Sequence, residues 1–219
     1  MKPWRVLLGA AGCVLLMGQT VAAEGQRLTA YERSQGWRYL FDGESLSDWH
    51  GYQMNKVPPN WQVVEGVLTS GGGPALVSAE DFSDFELLFD WKVSAGGSAE
   101  VYFRANEDGA APGESGLLMQ LAGPGVKMAG NGGLTEPFRD ITLQPDVWYR
   151  GKIVVFGNQV EHWISGDRML NYMIDSPDWR TTVAGSGFKD FKGYGLDRAG
   201  RIVLAGRSVI FKNIKIKKL

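Results

Sequence analysis

Residues 85–105 alternate between apolar and polar side chains, and that two-residue period restricts the segment to β-structure. Phe85, Leu87, Phe89, Trp91 and Val93 fall in one phase, against Glu86, Leu88, Asp90 and Lys92. After Ala95-Gly96-Gly97 the pattern resumes, with Val101 and Phe103 opposed to Glu100, Tyr102 and Arg104. The glycine break reads as a hairpin centred near Gly96, which would set Lys92 opposite Glu100 and Asp90 opposite Tyr102. One face then packs between sheets. The other carries Asp90, Lys92, Glu100, Tyr102 and Arg104. It reads either as a ligand cleft or as a solvated face laced with ion pairs worth about 0–1 kcal/mol each.

Further strand signals fall at 37–41, 61–64, 67–70, 116–122, 148–156, 159–165, 168–174, 201–204 and 208–216, separated by glycine-rich turns. Gly157-Asn158 reads as the tight turn of a hairpin. The phase slips between Val209/Phe211 and Ile214/Ile216, which predicts a bulge near Asn213 or burial on both faces. Thr29-Ala30-Tyr31-Glu32 is a capping box, so a short helix is expected over about 29–35, stopped at Gly36. About eleven strands and no long helical period predict an all-β fold, a jelly-roll β-sandwich of two antiparallel sheets with a short N-terminal helix.

Residues 1–23 read as an export signal. Lys2 and Arg5 lead an apolar run over 6–17, shorter than the about 20 residues of a membrane span, and Val21-Ala22-Ala23 is a small-residue cleavage site. The expected product is one domain over 24–219, periplasmic or secreted, with no transmembrane segment. Ala10-Ala11-Gly12-Cys13 loosely resembles a lipobox, which keeps a lipid anchor at Cys13 as the alternative. Cys13 is the one cysteine, so disulfides and thiolate catalysis are excluded from the mature chain. With two histidines, His50 and His162, no zinc site and no other cofactor is predicted, whereas a Ca²⁺ or Mn²⁺ site of carboxylates and carbonyls stays open. The formal charge of -1 gives no electrostatic footprint for nucleic acid. Eight Trp, ten Phe and seven Tyr suit stacking on sugar rings as well as a core.

His162 lies in the strand signal 159–165 and shares a face with Val160 and Ile164, against Glu161 and Trp163. An imidazole titrates near neutral pH, so His162 is a candidate acid or base. The alternative is a hydrogen-bonded histidine between two aliphatic neighbours.

Taken together, GWRYLFDGESLSDWHGY (36–52), W-x-V-V-E-G-V-L-T (61–69), D-F-E-L-x-x-D-W-K (84–92), GNQVEHWISG (157–166), SPDW (176–179), KGYG (192–195) and FKNIKIKKL (211–219) resemble the 3-keto-disaccharide hydrolase-like family. The resemblance implies a concanavalin A-like jelly roll and cleavage of 3-keto-glycosides by hydrolysis, or by elimination followed by hydration. A ketone at C3 acidifies the C2 proton, so the chemistry needs a base, an enolate stabiliser and an acid for the leaving oxygen. Positions matching the family's polar residues include Lys92, Arg104, Gln120 and His162. The resemblance casts His162 as acid or base, Arg104 or Lys92 as enolate stabiliser and Gln120 as a substrate contact; Glu100 and Tyr102, on the polar face of 85–105, are candidate substrate contacts beside them. The sequence departs from the family pattern in three places. Leu204-Ala205-Gly206-Arg207-Ser208 stands for Leu-Gln-Asp-His-Gly. Leu118-Met119-Gln120 stands for Glu-x-Gln, without the Asp that follows it. Gly97-Ser98-Ala99 stands for Asn-Ser-Gly. Two functions follow: an exported carbohydrate-active hydrolase or lyase with a diverged site, or a non-catalytic jelly roll that binds a carbohydrate or a partner.

Overall fold

The computed structural model describes residues 27–219, so the export signal and the Cys13 alternative lie outside the described residues. The elements are α1 (Ala30–Ser34), β1 (Arg38–Phe41), β2 (Trp49–Gly51), β3 (Trp61–Val64), β4 (Val67–Ser70), β5 (Leu76–Phe82), β6 (Phe85–Ala105), β7 (Leu117–Ala122), β8 (Tyr149–Phe156), β9 (Gln159–Ile164), β10 (Asp167–Met173), α2 (Pro177–Ala184) and β11 (Gly200–Lys218). The capping box closes as its sequence predicts: Glu32 N–H donates to Thr29 Oγ1, and the Thr29 N–H donates to the Glu32 carboxylate at 2.8 Å. β8 and β9 form the expected hairpin about Gly157-Asn158, with Phe156 paired to Gln159. The phase slip near Asn213 is a bulge, where φ is 52° and the register shifts between Lys212 and Lys215.

The hairpin expected within 85–105 does not form. β6 continues through Gly96 and pairs antiparallel with β11 along nearly its whole length, from Phe85↔Lys218 to Ala105↔Arg201. Both strands turn a corner together. Their glycines allow the approach: a Cβ on Gly97 would come 2.7 Å from the Arg207 carbonyl oxygen, and one on Gly206 (φ 149°) would overlap the Ser98 carbonyl oxygen. Strands that change sheets at such corners are the device of orthogonally packed sandwiches.

The corner divides the strands into two leaves. One leaf runs β10-β9-β8-β6-β11, with β1 and β4-β3 beyond β11. It uses β6 over 85–93 and β11 over 209–218. The other runs β7-β6-β11-β5-β2, using β6 over 99–105 and β11 over 200–207. This is a jelly-roll β-sandwich. The inward phase is kept through the corner, so Phe89, Trp91, Val101 and Phe103 all sit in one core at 1% exposure or less. The outward residues therefore separate. Lys92 leaves one side of the sandwich and Glu100 the other; Lys92 pairs with Ile210, and Glu100 with Ala205 and Gln120.

Candidate active site

The outer face of the second leaf is built by register. His50, Val77, Val203, Tyr102 and Leu118 pair in turn across β2, β5, β11, β6 and β7 and form one row. Ala205, Glu100 and Gln120 form the next row, two residues along on the same face. Ala75 and Tyr52 extend it, joined by the Tyr52 N–H to Ala75 carbonyl bond at 2.9 Å. Val77, Val203 and Ala105 make a small apolar cluster separate from the main core, fully buried beneath Tyr52, Ala75 and Tyr102. The two tyrosines close over this cluster, and Glu100 and Gln120 stand part-exposed beside it.

Glu100 is its central polar group. The Tyr102 hydroxyl donates to Glu100 Oε2 at 2.7 Å. Burial, and then the neighbouring Glu100 charge, push the Tyr102 hydroxyl above the ordinary phenol range, so it stays a donor. Beyond Gln120 the loop 125–137 encloses a hollow of ≈ 290 Å³, bordered by Lys127, Thr135 and Glu136. Lys127 pairs with Glu136 at 2.7 Å. The structure brings Glu100, Tyr102 and Gln120 together on this face.

It does not bring His162, Arg104 or Lys92 to them. His162 is fully buried between the leaves, with Phe103 and Tyr172 edge-on to its ring at 5.9 and 5.7 Å between centroids. Its Nδ1 donates to the Ala129 carbonyl at 2.8 Å, and burial drops its pKa to about 4 against that bond, so it is neutral in the folded chain. The acid–base reading of His162 gives way to the hydrogen-bonded core histidine, because β9 points its 160–162–164 phase inward. Arg104 is 2% exposed. Its guanidinium donates to the Ser83 carbonyl at 3.0 and 2.9 Å, the Gly157 carbonyl at 3.0 Å and Asp84 Oδ1 at 3.1 Å. With these bonds all made to the fold, it ties two turns together and is turned away from Glu100. Lys92 lies on the opposite side of the sandwich, 5.2 Å from the centroid of the Trp148 ring.

One pair is not visible in the sequence pattern. His50 Nε2 and Glu107 Oε2 are 2.8 Å apart, with side chains 23% and 25% exposed. The Gln53 N–H donates to Glu107 Oε1 at 2.6 Å. Burial would raise the Glu107 pKa, but the bonds from His50 and Gln53 outweigh it and hold the carboxyl below its ordinary range. The three-residue strand Trp49–Gly51 is too short to show a period, and Glu107 stands in a loop. Among the described residues, no three His, Cys, Asp or Glu side chains cluster as cation ligands. No helix among them is long and apolar enough to cross a membrane.

A sequence model of the 3-keto-alpha-glucoside-1,2-lyase-like domain matches residues 36–217. The chain is 28% identical to a 3-keto-disaccharide hydrolase of Bacteroides thetaiotaomicron, over 90% of this chain and 83% of that protein. A crystal structure of a "putative glycosyl hydrolase" from Parabacteroides distasonis superposes with a TM-score of 0.83 at 26% identity, over 90% of this chain and all of that one. The carbohydrate-binding module CBM66 of Bacillus subtilis shares the fold at a TM-score of 0.50 and 16% identity, over 84% of this chain and 96% of that one.

Proposed function

The chain belongs to the 3-keto-alpha-glucoside-1,2-lyase-like family, and from that premise we propose that it cleaves 3-keto-glycosides on the outer face of the second leaf, with Glu100 moving the proton. The observation that carries the reading is the Glu100 carboxylate, part-exposed, held by the Tyr102 hydroxyl at 2.7 Å and set beside Gln120. Glu100 takes the C2 proton, which the C3 ketone has acidified. The electron pair moves to the C3 oxygen, where the Gln120 amide donates to the enolate. The C1–O bond breaks, and the carboxylic acid just formed returns its proton to the leaving oxygen. Water then adds to the unsaturated sugar.

Glu100 stands beside two positions where polar groups of the family pattern are missing. Leu118 and Ala205 take the places of a Glu and a Gln in the pattern, and both flank the Glu100–Tyr102 pair in register. General acid–base groups contribute roughly 10²–10⁴-fold. Glu100→Gln is therefore expected to lower kcat on methyl 3-keto-glucoside about 10²-fold, with the unfolding midpoint little changed. An unaltered kcat removes Glu100 from the mechanism. Leu118 and Ala205 also favour a second reading, a sugar-binding module without turnover. A wild-type protein that binds 3-keto sugars and releases no product, with or without added Ca²⁺ or Mn²⁺, decides for it.

Export belongs to the same proposal. A mature chain beginning near Glu24, found by mass spectrometry in the periplasmic or culture fraction, is the expected result. An acylated Cys13 is the outcome that replaces it.

A further inference from the structure

We propose that His162 is a positioning residue: from inside the core it sets the loop 125–137 and, through that loop, the Gln120 side chain. The inference rests on the role proposed for Gln120 at the enolate.

The imidazole is an expensive ring for its place. His162 is fully buried, and its Nδ1 reaches the Ala129 carbonyl at 2.8 Å, while Nε2 meets no hydrogen-bond partner among the described residues. A phenylalanine would fill the same space without that unpaired acceptor. What the histidine adds is one directed N–H, delivered to the loop from between the leaves.

That N–H begins a chain of bonds that ends at Gln120. Ala129 accepts from His162 at its carbonyl and donates its N–H to the Gln120 carbonyl at 2.7 Å; the Gln120 N–H donates to the Gly130 carbonyl at 2.8 Å. Residues 129–130 thus pair with the edge of β7 that faces away from β6. They do so in a conformation that needs holding, because Ala129 has a φ of 67°, a left-handed backbone on a residue with a Cβ. Such residues persist where the surrounding bonds over-determine them. The next turn is held too: Asn131, also buried, accepts the Thr135 N–H at 2.6 Å. The loop meets the side chain at Gly130, where a Cβ would stand 3.2 Å from Gln120 Oε1. Gln120, Gly130 and Thr135 all border the hollow beyond β7. A shift of residues 129–130 therefore passes directly to the Gln120 amide.

The test makes activity and stability disagree. His162→Phe fills the space of the ring and loses the donor. His162→Asn keeps an amide N–H near the place of Nδ1 and leaves a void. On methyl 3-keto-glucoside, His162→Phe is expected to lower kcat at least about tenfold with KM within about twofold. A misplacement of about 1 Å can cost about 10²-fold, and the bond to the enolate is made only in the transition state. His162→Asn is expected to be the faster of the two variants, although the void makes it the one that unfolds at lower urea. Added to Gln120→Ala, His162→Phe is expected to lower kcat no further, since its effect runs through Gln120. Gly130→Ala presses on the same amide without touching the core, and is expected to lower kcat at least about threefold with the unfolding midpoint little changed. His162→Asn no faster than His162→Phe, a further tenfold fall in the double variant, or an unaltered kcat for Gly130→Ala each overturns the proposal. One readout needs no turnover. Relative to the amides of β6 and β11, which report global opening, hydrogen exchange at the Ala129 amide is expected to quicken at least about tenfold in His162→Phe. Unchanged relative protection overturns the proposal. Failure of the catalytic reading shows separately, as wild-type protein without turnover, and the exchange measurement then decides the positioning role by itself.

Discussion

Arg104→Ala is expected to destabilise the domain by about 3–5 kcal/mol, the cost of deleting one partner from a buried, hydrogen-bonded ion pair. The guanidinium is 3% exposed as a side chain, and Asp84 beside it is 31% exposed. Arg104 donates to Ser83 and Asp84, in the turn between β5 and β6, and to Gly157, in the turn between β8 and β9. Asp84 Oδ1 also accepts from the Gly157 N–H at 3.0 Å. Truncation leaves two carbonyls and a carboxylate short of a donor at once. The backbone conformation is not the cause, because φ of 49° strains alanine as it strains arginine. Arg104→Lys is expected to recover only part of the loss, since one ammonium cannot reproduce a planar fork reaching both turns. Urea unfolding at neutral pH measures all three proteins. A midpoint shift worth less than about 1 kcal/mol would show that water replaces the guanidinium at no cost.

The second large effect concerns acid. Unfolded His162 titrates at about 6.5, and folded His162 at about 4, because burial disfavours the imidazolium. The depressed folded value sets the sign. Between those two pH values the unfolded chain binds a proton that the folded chain refuses, so stability is full above pH 6.5 and falls as the pH drops towards 4. At about 1.4 kcal/mol per unit, the loss amounts to about 3 kcal/mol. Glu32, held near 2 by Lys215 and by the Thr29 backbone, adds its own loss at lower pH, below the ordinary range of glutamate. The two windows are therefore separable. His162→Phe is expected to start less stable at pH 7, with the Ala129 carbonyl left unpaired, yet to lose about 3 kcal/mol less than the wild type between pH 7 and 4. Parallel pH profiles for the two proteins would remove His162 as the cause.

Inward and outward sides were legible in the sequence wherever a strand is long enough to show its period. Phe89, Trp91, Val101 and Phe103 are buried as the alternation requires. The corner was not legible as a corner. Four residues, Ser94–Gly97, announce that the chain changes direction but not through what angle, and a hairpin and a sheet change carry the same glycine signal. The decisive partner is β11, more than a hundred residues away, whose own break at Gly206-Arg207 lies against the first. The error had a cost for the site. A hairpin unites Lys92 and Arg104 with Glu100, whereas the corner sends Lys92 to the far side and the bulged end of β6 turns Arg104 into the fold. Glu100, Tyr102 and Gln120 come together because they sit on neighbouring strands in phase. His50 and Glu107 needed tertiary structure, since neither lies in a run with a period. α2 did carry its signals, Ser176 as N-cap and Pro177 in the first turn, but within a motif read for family likeness.

β11 is the last strand in sequence order, yet β1, β4, β5 and β6 all pair with it. Neither leaf has its centre until residues 200–218 exist. A nascent chain emerging from the ribosome therefore carries β1, β4 and β5 with open edges and nothing to close them. Folding is gated by completion of the strand rather than by stepwise accretion, and the contacts that reward it span most of the sequence. Until that moment unpaired edges and the apolar faces behind them stay exposed, the condition under which partly made chains aggregate.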